Sequence, residues 1–178
     1  MSQKKGHANM TAMTPSRTDS RRRTSAADRF VASARLANNL QVVLVDLIEL
    51  HLQGKQAHWN VVGKNFRDLH LQLDELVDIA REASDTIAER LRALQASPDG
   101  RSDTVTATTS LPAFPAGEQN TATVVDLITD RIAAATATMR TVHDDVDADD
   151  PSSADLLHAI IDDLEKYAWM INAENHSA

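Results

Sequence analysis

The sequence has no cysteine, no long apolar run and no export signal, and each absence excludes a class of protein. Without Cys among 178 residues, neither a disulfide framework nor a thiolate metal site is possible, so nitrogen and oxygen must hold any metal. No apolar run reaches the roughly 18 residues of a membrane span. Arg21, Arg22 and Arg23 precede polar residues rather than the apolar segment of an export signal. These absences predict a cytoplasmic protein.

Aromatic residues are also scarce. They make up 3% of the chain, whereas apolar residues make up 42% and are mostly Leu, Ala, Val and Ile. This composition favours helices packed on helices over a β-sheet, and the length suits one domain with a substantial core. The sequence therefore predicts an all-α fold.

Charge is unevenly distributed along the chain. Residues 1–30 carry seven basic and two acidic side chains, a net charge of +5, so the remainder carries −13 of the total of −8. A basic, Ser/Thr-rich segment with few large apolar residues is typical of disorder, which predicts a tail over 1–32 and a folded domain over 33–178. The acidic domain is expected to attract cations.

Apolar spacing predicts four long helices. The first spans 33–61, and the second begins after Asn65 as N-cap and ends near Ala96, where Ser97-Pro98-Asp99-Gly100 stops it. The proline-containing connection over 97–119 is long enough to cross the bundle. One long crossover between the second and third helices is the connectivity of a ferritin-like four-helix bundle.

The third and fourth helices are predicted to flank an acidic turn. The third spans 121–143, the turn covers 143–150, and Pro151 opens the fourth helix, with Ser152 as N-cap and Asp155 completing the capping arrangement. From its composition, the acidic turn is interpreted as a solvated loop.

Five potential metal ligands lie between Lys55 and Arg90, and imidazole and carboxylate groups suit iron and zinc. They form two i,i+4 pairs on the second helix, preceded by one imidazole near the end of the first helix. They are His58, His70, Asp74, Asp85 and Glu89.

The spacing of the two pairs excludes a single-chain site. Asp74 and Asp85 lie eleven residues apart, about three turns and roughly 16 Å along one helix stripe. An antiparallel copy of the helix, related by a two-fold axis near Ile79 and Ala80, would set His70 and Asp74 against Asp85 and Glu89 of the other subunit. This arrangement gives two shared metal sites per dimer.

Charged i,i+4 pairs are also typical of a solvated helix face. Here the stripe contains two histidines and lies beside an apolar seam, which favours the metal site. The seam comprises Phe66, Leu69, Leu73, Leu76, Ala80, Ala83, Ile87, Leu91 and Leu94. His51, seven residues before His58, is interpreted as a structural histidine.

This stretch resembles the signature of the Dps family (DNA-binding protein from starved cells), the miniferritins, and is most similar to its actinobacterial members. The likeness rests on several unlike residue types that keep their spacing across a helix break, and the helical organisation extends it over 36–171. The matching residues are Lys55, His58, Trp59, Asn60, Gly63, His70, Asp74, Asp85, Ala88, Glu89 and Arg90.

The resemblance implies a ferroxidase. It implies two Fe(II) ions at each inter-subunit centre, oxidation preferably by hydrogen peroxide, and storage of ferric mineral in a hollow dodecamer. His58 and His70 would ligate from one chain, Asp85 and Glu89 from its partner, and Asp74 would bridge. Trp59 is expected either to quench stray oxidants or to pack in the dimer seam. Lys55 is expected to pair with a site carboxylate or with nothing.

The resemblance also implies acidic pores for iron entry, with Asp149, Asp150 and Asp155 as candidates and His143 and His158 as neighbours. Two other functions are open to test. A larger ferritin would carry Glu-x-x-His, and no Glu in the chain has a His three residues later. A nucleoid protein would bind DNA through the tail, with a nucleoid-associated location. The candidate DNA contacts are Lys4, Lys5, Arg17, Arg21, Arg22 and Arg23.

Overall fold

A computed structural model describes residues 30–176, which are almost entirely helical. The elements in chain order are α1 (Ala34–Asn60), β1 (Val61–Val62), α2 (Phe66–Ala93), α3 (Ser102–Thr108), β2 (Gln119–Asn120), α4 (Thr121–Asp149), α5 (Pro151–Asn172) and a closing 3-10 turn (Ala173–Asn175). α1 packs along α2 to form one helical hairpin, and α4 packs along α5 to form another. The two hairpins are in contact through α1 and α4. The predicted ferritin-like four-helix bundle with one long crossover is confirmed. Across 30–176, the longest apolar stretch within any helix falls short of a membrane span.

The core runs the length of the bundle between the four long helices. Its fully buried large side chains are Leu36, Leu40, Leu47, Leu50, Leu69, Leu73, Leu76, Ile87, Leu91, Ile128, Ile132 and Met139. Gly54 lets α1 approach α2 closely, because a Cβ at this position would lie 3.1 Å from Cγ2 of Val77. Glycine lowers the helix propensity of α1 at this position, but its lack of a side chain allows the two helices to pack closely.

One predicted helix cap is wrong, and another lacks its side-chain bond. Asn65 is the N-cap residue of α2, as predicted. Asn65 precedes α2 in a left-handed conformation with φ of 57°, and its side chain makes no capping bond. The Asn65 carbonyl instead accepts from the Leu69 amide at 3.1 Å. Asp150, not Ser152, is the N-cap residue of α5, and Pro151 occupies the first turn, where its missing N–H carries no penalty.

The predicted acidic turn over 143–150 is mostly helix. α4 continues six residues beyond His143 to Asp149, so Asp150 is the single non-helical residue between α4 and α5. Val146 stays on the buried face. Arg35 bonds both Asp145 at 3.1 Å and Asp149 at 2.6 Å. Because these carboxylates are four residues apart, one arginine offsets the repulsion that the sequence suggested.

Two buried charged side chains hold the crossover. Asp46 of α1 accepts hydrogen bonds from the Ser110 amide at 2.8 Å and from the hydroxyls of Thr109 at 3.0 Å, Ser110 at 2.6 Å and Thr138 at 2.7 Å. These four donors satisfy a carboxylate that is 2% exposed.

Arg131 of α4 fixes the next stretch of the crossover. Its guanidinium donates to Gln53 Oε1 at 2.7 Å and to the Ala113 carbonyl at 2.7 Å, and it lies 5.2 Å from the centre of the Phe114 ring. The crossover then ends in β2, which pairs in parallel with β1. The turn after α1 is thereby tied to the start of α4.

Candidate metal centre

The candidate site forms where the end of α1 meets the beginning of α2. Gly63 lies in the intervening turn with φ of +120°, a conformation that an L side chain rarely adopts, and a Cβ there would lie 3.4 Å from Thr121 Oγ1. The turn reverses the chain so that His58 of α1 faces His70 of α2. Side chains that are twelve residues apart in sequence are thereby brought into contact.

The two imidazoles stack, and each is hydrogen-bonded to the backbone carbonyl of the other histidine. Their ring centroids lie 3.7 Å apart with an interplanar angle of 22°. Nδ1 of His58 lies 3.0 Å from the His70 carbonyl, and Nδ1 of His70 lies 3.0 Å from the His58 carbonyl. Because a carbonyl only accepts, each Nδ1 carries the hydrogen, which leaves each Nε2 with a lone pair for a metal.

Asp74, one turn after His70, completes a three-residue cluster. His58, His70 and Asp74 each offer a ligand atom, and these atoms all lie within 4.8 Å of one another. Oδ1 of Asp74 lies 3.2 Å from His58 Nδ1 and also forms an ion pair with the Lys55 ammonium. The hydrogen bond from Lys55 and the nearby imidazoles lower the pKa of the Asp74 carboxyl, although desolvation opposes them.

This donor set can hold a divalent metal. Two imidazole nitrogens and one carboxylate oxygen suit iron or zinc, and the Asp74 carboxylate is ionised at neutral pH. His58 is 9% exposed at its side chain, whereas Asp74 is 42% exposed and opens to solvent. Among residues 30–176 no other group of three such side chains meets the same distance criterion. Three ligands leave coordination positions open on the exposed side.

The other two predicted ligands do not join the cluster within one chain. Asp85 and Glu89 lie further along α2, and both are exposed. Asp85 borders a shallow groove beside the end of α2 that also has an apolar lining, formed by Leu44, Ile48, Ala88, Pro98 and Gly100. Within one chain, the cluster therefore contains three of the five predicted ligands, His58, His70 and Asp74.

Three apolar side chains close in sequence to the cluster are exposed. Trp59 is 69% exposed, Phe66 is 44% exposed and Val62 is 39% exposed. The Phe66 ring lies 5.1 Å from the His70 ring. Phe66, predicted in the apolar seam, is thus exposed in the single chain and lies against the cluster.

The pore candidates have distinct environments. Asp149 accepts from Ser33 Oγ at 2.8 Å and from Arg35, which lowers the pKa of its carboxyl. Asp150 is nearly buried. Burial raises its pKa, but bonds from Ser153 and from Arg90 at 2.6 Å outweigh that effect and leave the pKa low. Asp155 is exposed. Two of the three carboxylates are therefore neutralised by arginine within the chain.

The remaining predicted residues are placed as follows. Lys4, Lys5, Arg17, Arg21, Arg22 and Arg23 lie outside the described residues. His51 lies outside the ligand cluster. Burial, followed by the charges of Arg81 and Lys55, lowers the pKa of its imidazole. The contact of Lys55 with Asp74 decides between the two expectations for that lysine. The sequence signals for it were its position one turn before His58 and its place in the family signature.

Comparison with known proteins places the chain among ferritin-like proteins. The ferritin-like domain family matches residues 37–176. A DNA protection during starvation protein of Agrobacterium fabrum is 35% identical over 73% of this chain and 81% of its own length. DNA protection during starvation protein 2 of Deinococcus radiodurans is 36% identical over 75% of this chain, but the match spans only 56% of that relative.

A solved structure gives the same relationship in three dimensions. Dps from Microbacterium arborescens in the high iron form is 34% identical, with a TM-score of 0.76, covering 82% of this chain and 97% of that one. Since both sequence and fold agree over most of the chain, the likeness covers the entire helical bundle.

Proposed function

Because the chain belongs to the ferritin-like family and, within it, to the Dps proteins, we propose that it oxidises Fe(II) and stores the ferric product, thereby protecting DNA from oxidative damage. The observation that carries the proposal is the cluster of His58, His70 and Asp74, whose ligand atoms lie within 4.8 Å of one another. Nitrogen and carboxylate ligands of this kind suit iron.

The complete centre is proposed to lie between two subunits. His58, His70 and Asp74 of one chain would face Asp85 and Glu89 of its partner. Asp74 would bridge two Fe(II) ions, which lie roughly 3.5–4 Å apart in typical paired sites. Two features support this arrangement. One chain supplies too few ligands for two ions, and the exposed apolar side chains of Trp59, Val62 and Phe66, which are close to the ligands in sequence, are candidates for a partner to cover.

Paired iron ions suit hydrogen peroxide as the oxidant. Two Fe(II) ions together supply both electrons that reduce one peroxide to two waters, whereas a single ion supplies one electron and releases hydroxyl radical. The tautomers of His58 and His70 are held by backbone carbonyls, so both Nε2 atoms stay available as ligands. Trp59 beside His58 would intercept stray oxidising equivalents.

Storage requires a closed shell. We propose a hollow dodecamer whose acidic pores admit iron near the junction of α4 and α5, with Asp149, Asp150 and Asp155 as lining candidates. The domain charge of −13 supports attraction of Fe(II) to the shell. Because arginines neutralise Asp149 and Asp150 within the chain, Asp155 would supply the unpaired charge in this role.

DNA binding is the second candidate function, favoured by the net charge of +5 on residues 1–30. Twelve such tails on one particle would neutralise phosphates multivalently and without sequence preference. The acidic domain would repel phosphate and so limit contact to the tails. This function would give the protein a cytoplasmic, nucleoid-associated location.

The test is His58→Ala with His51→Ala as the matched control. Both histidines lie on α1, and only His58 belongs to the cluster. Peroxide-driven Fe(II) oxidation is expected to fall at least about 10-fold in His58→Ala and to stay near the wild-type rate in His51→Ala. Light scattering checks that each variant keeps the wild-type particle mass, which also decides whether the particle is a dodecamer. Equal rates of Fe(II) oxidation in both variants would show that His58 is not part of the oxidation site.

A further inference from the structure

A second pair of histidines stacks at the other end of the bundle. His143 of α4 and His158 of α5 lie on either side of the break at Asp150. Their ring centroids are 4.4 Å apart, with an interplanar angle of 27°. Each histidine comes from a different helix, and neither belongs to the candidate iron centre.

The tautomer of His143 is set by a carboxylate. Nδ1 of His143 lies 3.1 Å from Oδ1 of Asp144. An ionised carboxylate only accepts, so Nδ1 carries the hydrogen and Nε2 keeps its lone pair. This carboxylate–histidine arrangement is the one that orients metal-bound imidazoles in proteins.

The free nitrogen of His143 has an unusual environment. Nε2 is buried and has no hydrogen-bond partner within residues 30–176. A buried nitrogen with an unused lone pair is rare, and one explanation for such an atom is an ion that satisfies it. His158, by contrast, is exposed and can rotate to admit an ion beside His143.

The geometry repeats that of the first pair. His58 and His70 also stack, at 3.7 Å and 22°. In both pairs the two imidazoles come from neighbouring antiparallel helices. An oxygen acceptor fixes Nδ1–H of both histidines in the first pair and of His143 in the second. The pairs differ in their third group, because no carboxylate joins His143 and His158 within the distance that brings Asp74 to the first pair.

Exposed carboxylates surround the second pair. Asp147 follows His143 by four residues and Asp155 precedes His158 by three, spacings that place each on the face of its histidine. Both are exposed, as is Asp144. They add negative charge on the helix faces that carry the two imidazoles and are candidate oxygen ligands for an ion.

We propose that His143 and His158 form a second metal site that takes a divalent transition-metal ion of the zinc and copper class. Two imidazoles bind such ions at about 2.0–2.1 Å through nitrogen, and the carboxylates or water complete the coordination. Nitrogen ligands hold Cu(II) and Zn(II) more tightly than Fe(II). The site would therefore bind these ions in preference to the iron that the proposed centre oxidises.

Zinc stoichiometry tests the proposal in the full-length assembled protein. The wild type and four variants, His158→Gln, His143→Gln, His176→Gln and His58→Ala, are dialysed against micromolar Zn(II), and bound zinc is measured by mass spectrometry. His176 is an exposed histidine outside both pairs, so its variant is the matched control. His158→Gln and His143→Gln are each expected to lose about one zinc per chain, and His176→Gln none. His58→Ala is expected to lose only zinc bound at the candidate centre, so its loss should add to that of His158→Gln in a double variant that carries both changes.

Two results would overturn the second site. One is wild-type zinc content in His158→Gln, and the other is an equal loss in His176→Gln. Zinc binding is measured without iron or peroxide, so the outcome does not depend on the proposed ferroxidase. Even if the chain oxidised no iron at all, the zinc measurement would still decide whether the second site exists. Because His158 is exposed, its replacement by Gln leaves the packed core unchanged.

Discussion

The ammonium of Lys55 is paired with the carboxylate of Asp74, the same carboxylate that lies 3.2 Å from His58 Nδ1. A divalent ion that binds Oδ1 of Asp74 would compete with Lys55 for that oxygen. The lysine holds the carboxylate in place and compensates its charge while no metal is bound.

Replacing Lys55 by Gln is expected to tighten binding of the first divalent ion. Losing a partly exposed ion pair of up to about 1 kcal/mol removes the competitor and raises affinity up to about 5-fold. The pKa of Asp74 rises toward its ordinary value of 3.8, so the carboxylate stays ionised at pH 7. Calorimetric titration with Co(II) measures the change, and Lys64→Gln in the adjacent turn is the control. Weaker binding by Lys55→Gln would mean that the lysine helps to hold the ion.

A mixed assembly tests whether the centre is shared between subunits. Chains with His58→Ala and chains with Glu89→Ala are each expected to oxidise Fe(II) poorly. When the two are unfolded together and reassembled, each mixed dimer has one centre with both defects and one centre with neither. Stopped-flow absorbance of ferric iron should therefore show partial recovery.

The recovery depends on ligands crossing the subunit boundary. If all ligands acted within one chain, every centre in the mixture would keep one defect and the oxidation rate would stay low. Assembling each variant alone by the same procedure is the control for refolding losses.

The contact between Arg90 and Asp150 predicts a stability that depends on pH. The pKa of Asp150 is below its ordinary value of 3.8, so the stabilisation is complete above that value and is lost as the pH falls through the lower, folded value. Asp150→Asn is expected to cost about 1–3 kcal/mol at pH 7. The difference from wild type should shrink below roughly pH 4.

Thermal unfolding of the assembled protein at a series of pH values measures this difference. Asp162→Asn, a change at an exposed position of α5, is the control and should leave the midpoint nearly unchanged at every pH. A destabilisation by Asp150→Asn that persisted undiminished in acid would show that the hydrogen-bond geometry, and not the charge, stabilises the junction.

Deleting residues 1–30 tests the source of any DNA binding. The full chain is expected to retard DNA in gels at low salt, with affinity falling steeply as salt rises, because basic side chains release counterions from the phosphates. The deletion should abolish this retardation. Replacing Arg21, Arg22 and Arg23 by Gln should weaken it and reduce its salt dependence. Retardation by the truncated chain would place the contact on the folded domain.

Much of the bundle follows from residue spacing alone. The predicted limits of α1 agree with the structure within a residue, and α2 begins where expected and ends three residues early, because apolar periodicity marks a helix without reference to its neighbours. The extent of α4 could not be predicted this way. The aspartates from Asp144 to Asp150 repel one another locally, and the contacts that offset this repulsion come from distant residues such as Arg35, more than a hundred residues away in sequence.

The candidate site likewise has features that could be predicted from local sequence and features that could not. The contact of His58, His70 and Asp74 follows from a helix, a turn at Gly63 and an i,i+4 spacing, all of which are local. The side-chain bonds that orient the site do not follow from local sequence. The reciprocal bonds of the two histidines depend on how α1 and α2 pack. The partnership with Asp85 and Glu89 depends on a second chain and stays a prediction.

The crossover between the hairpins is held over 109–113 but is exposed over 116–118, just before β2. Asp46 and Arg131 fix 109–113 against α1 and α4, whereas Ala116, Gly117 and Glu118 are exposed. A Cβ at Gly117 would meet no atom within 4 Å. An added peptide at Gly117 should therefore be displayed on the surface of the fold, while the same graft at Ser110 would prevent the two halves from docking.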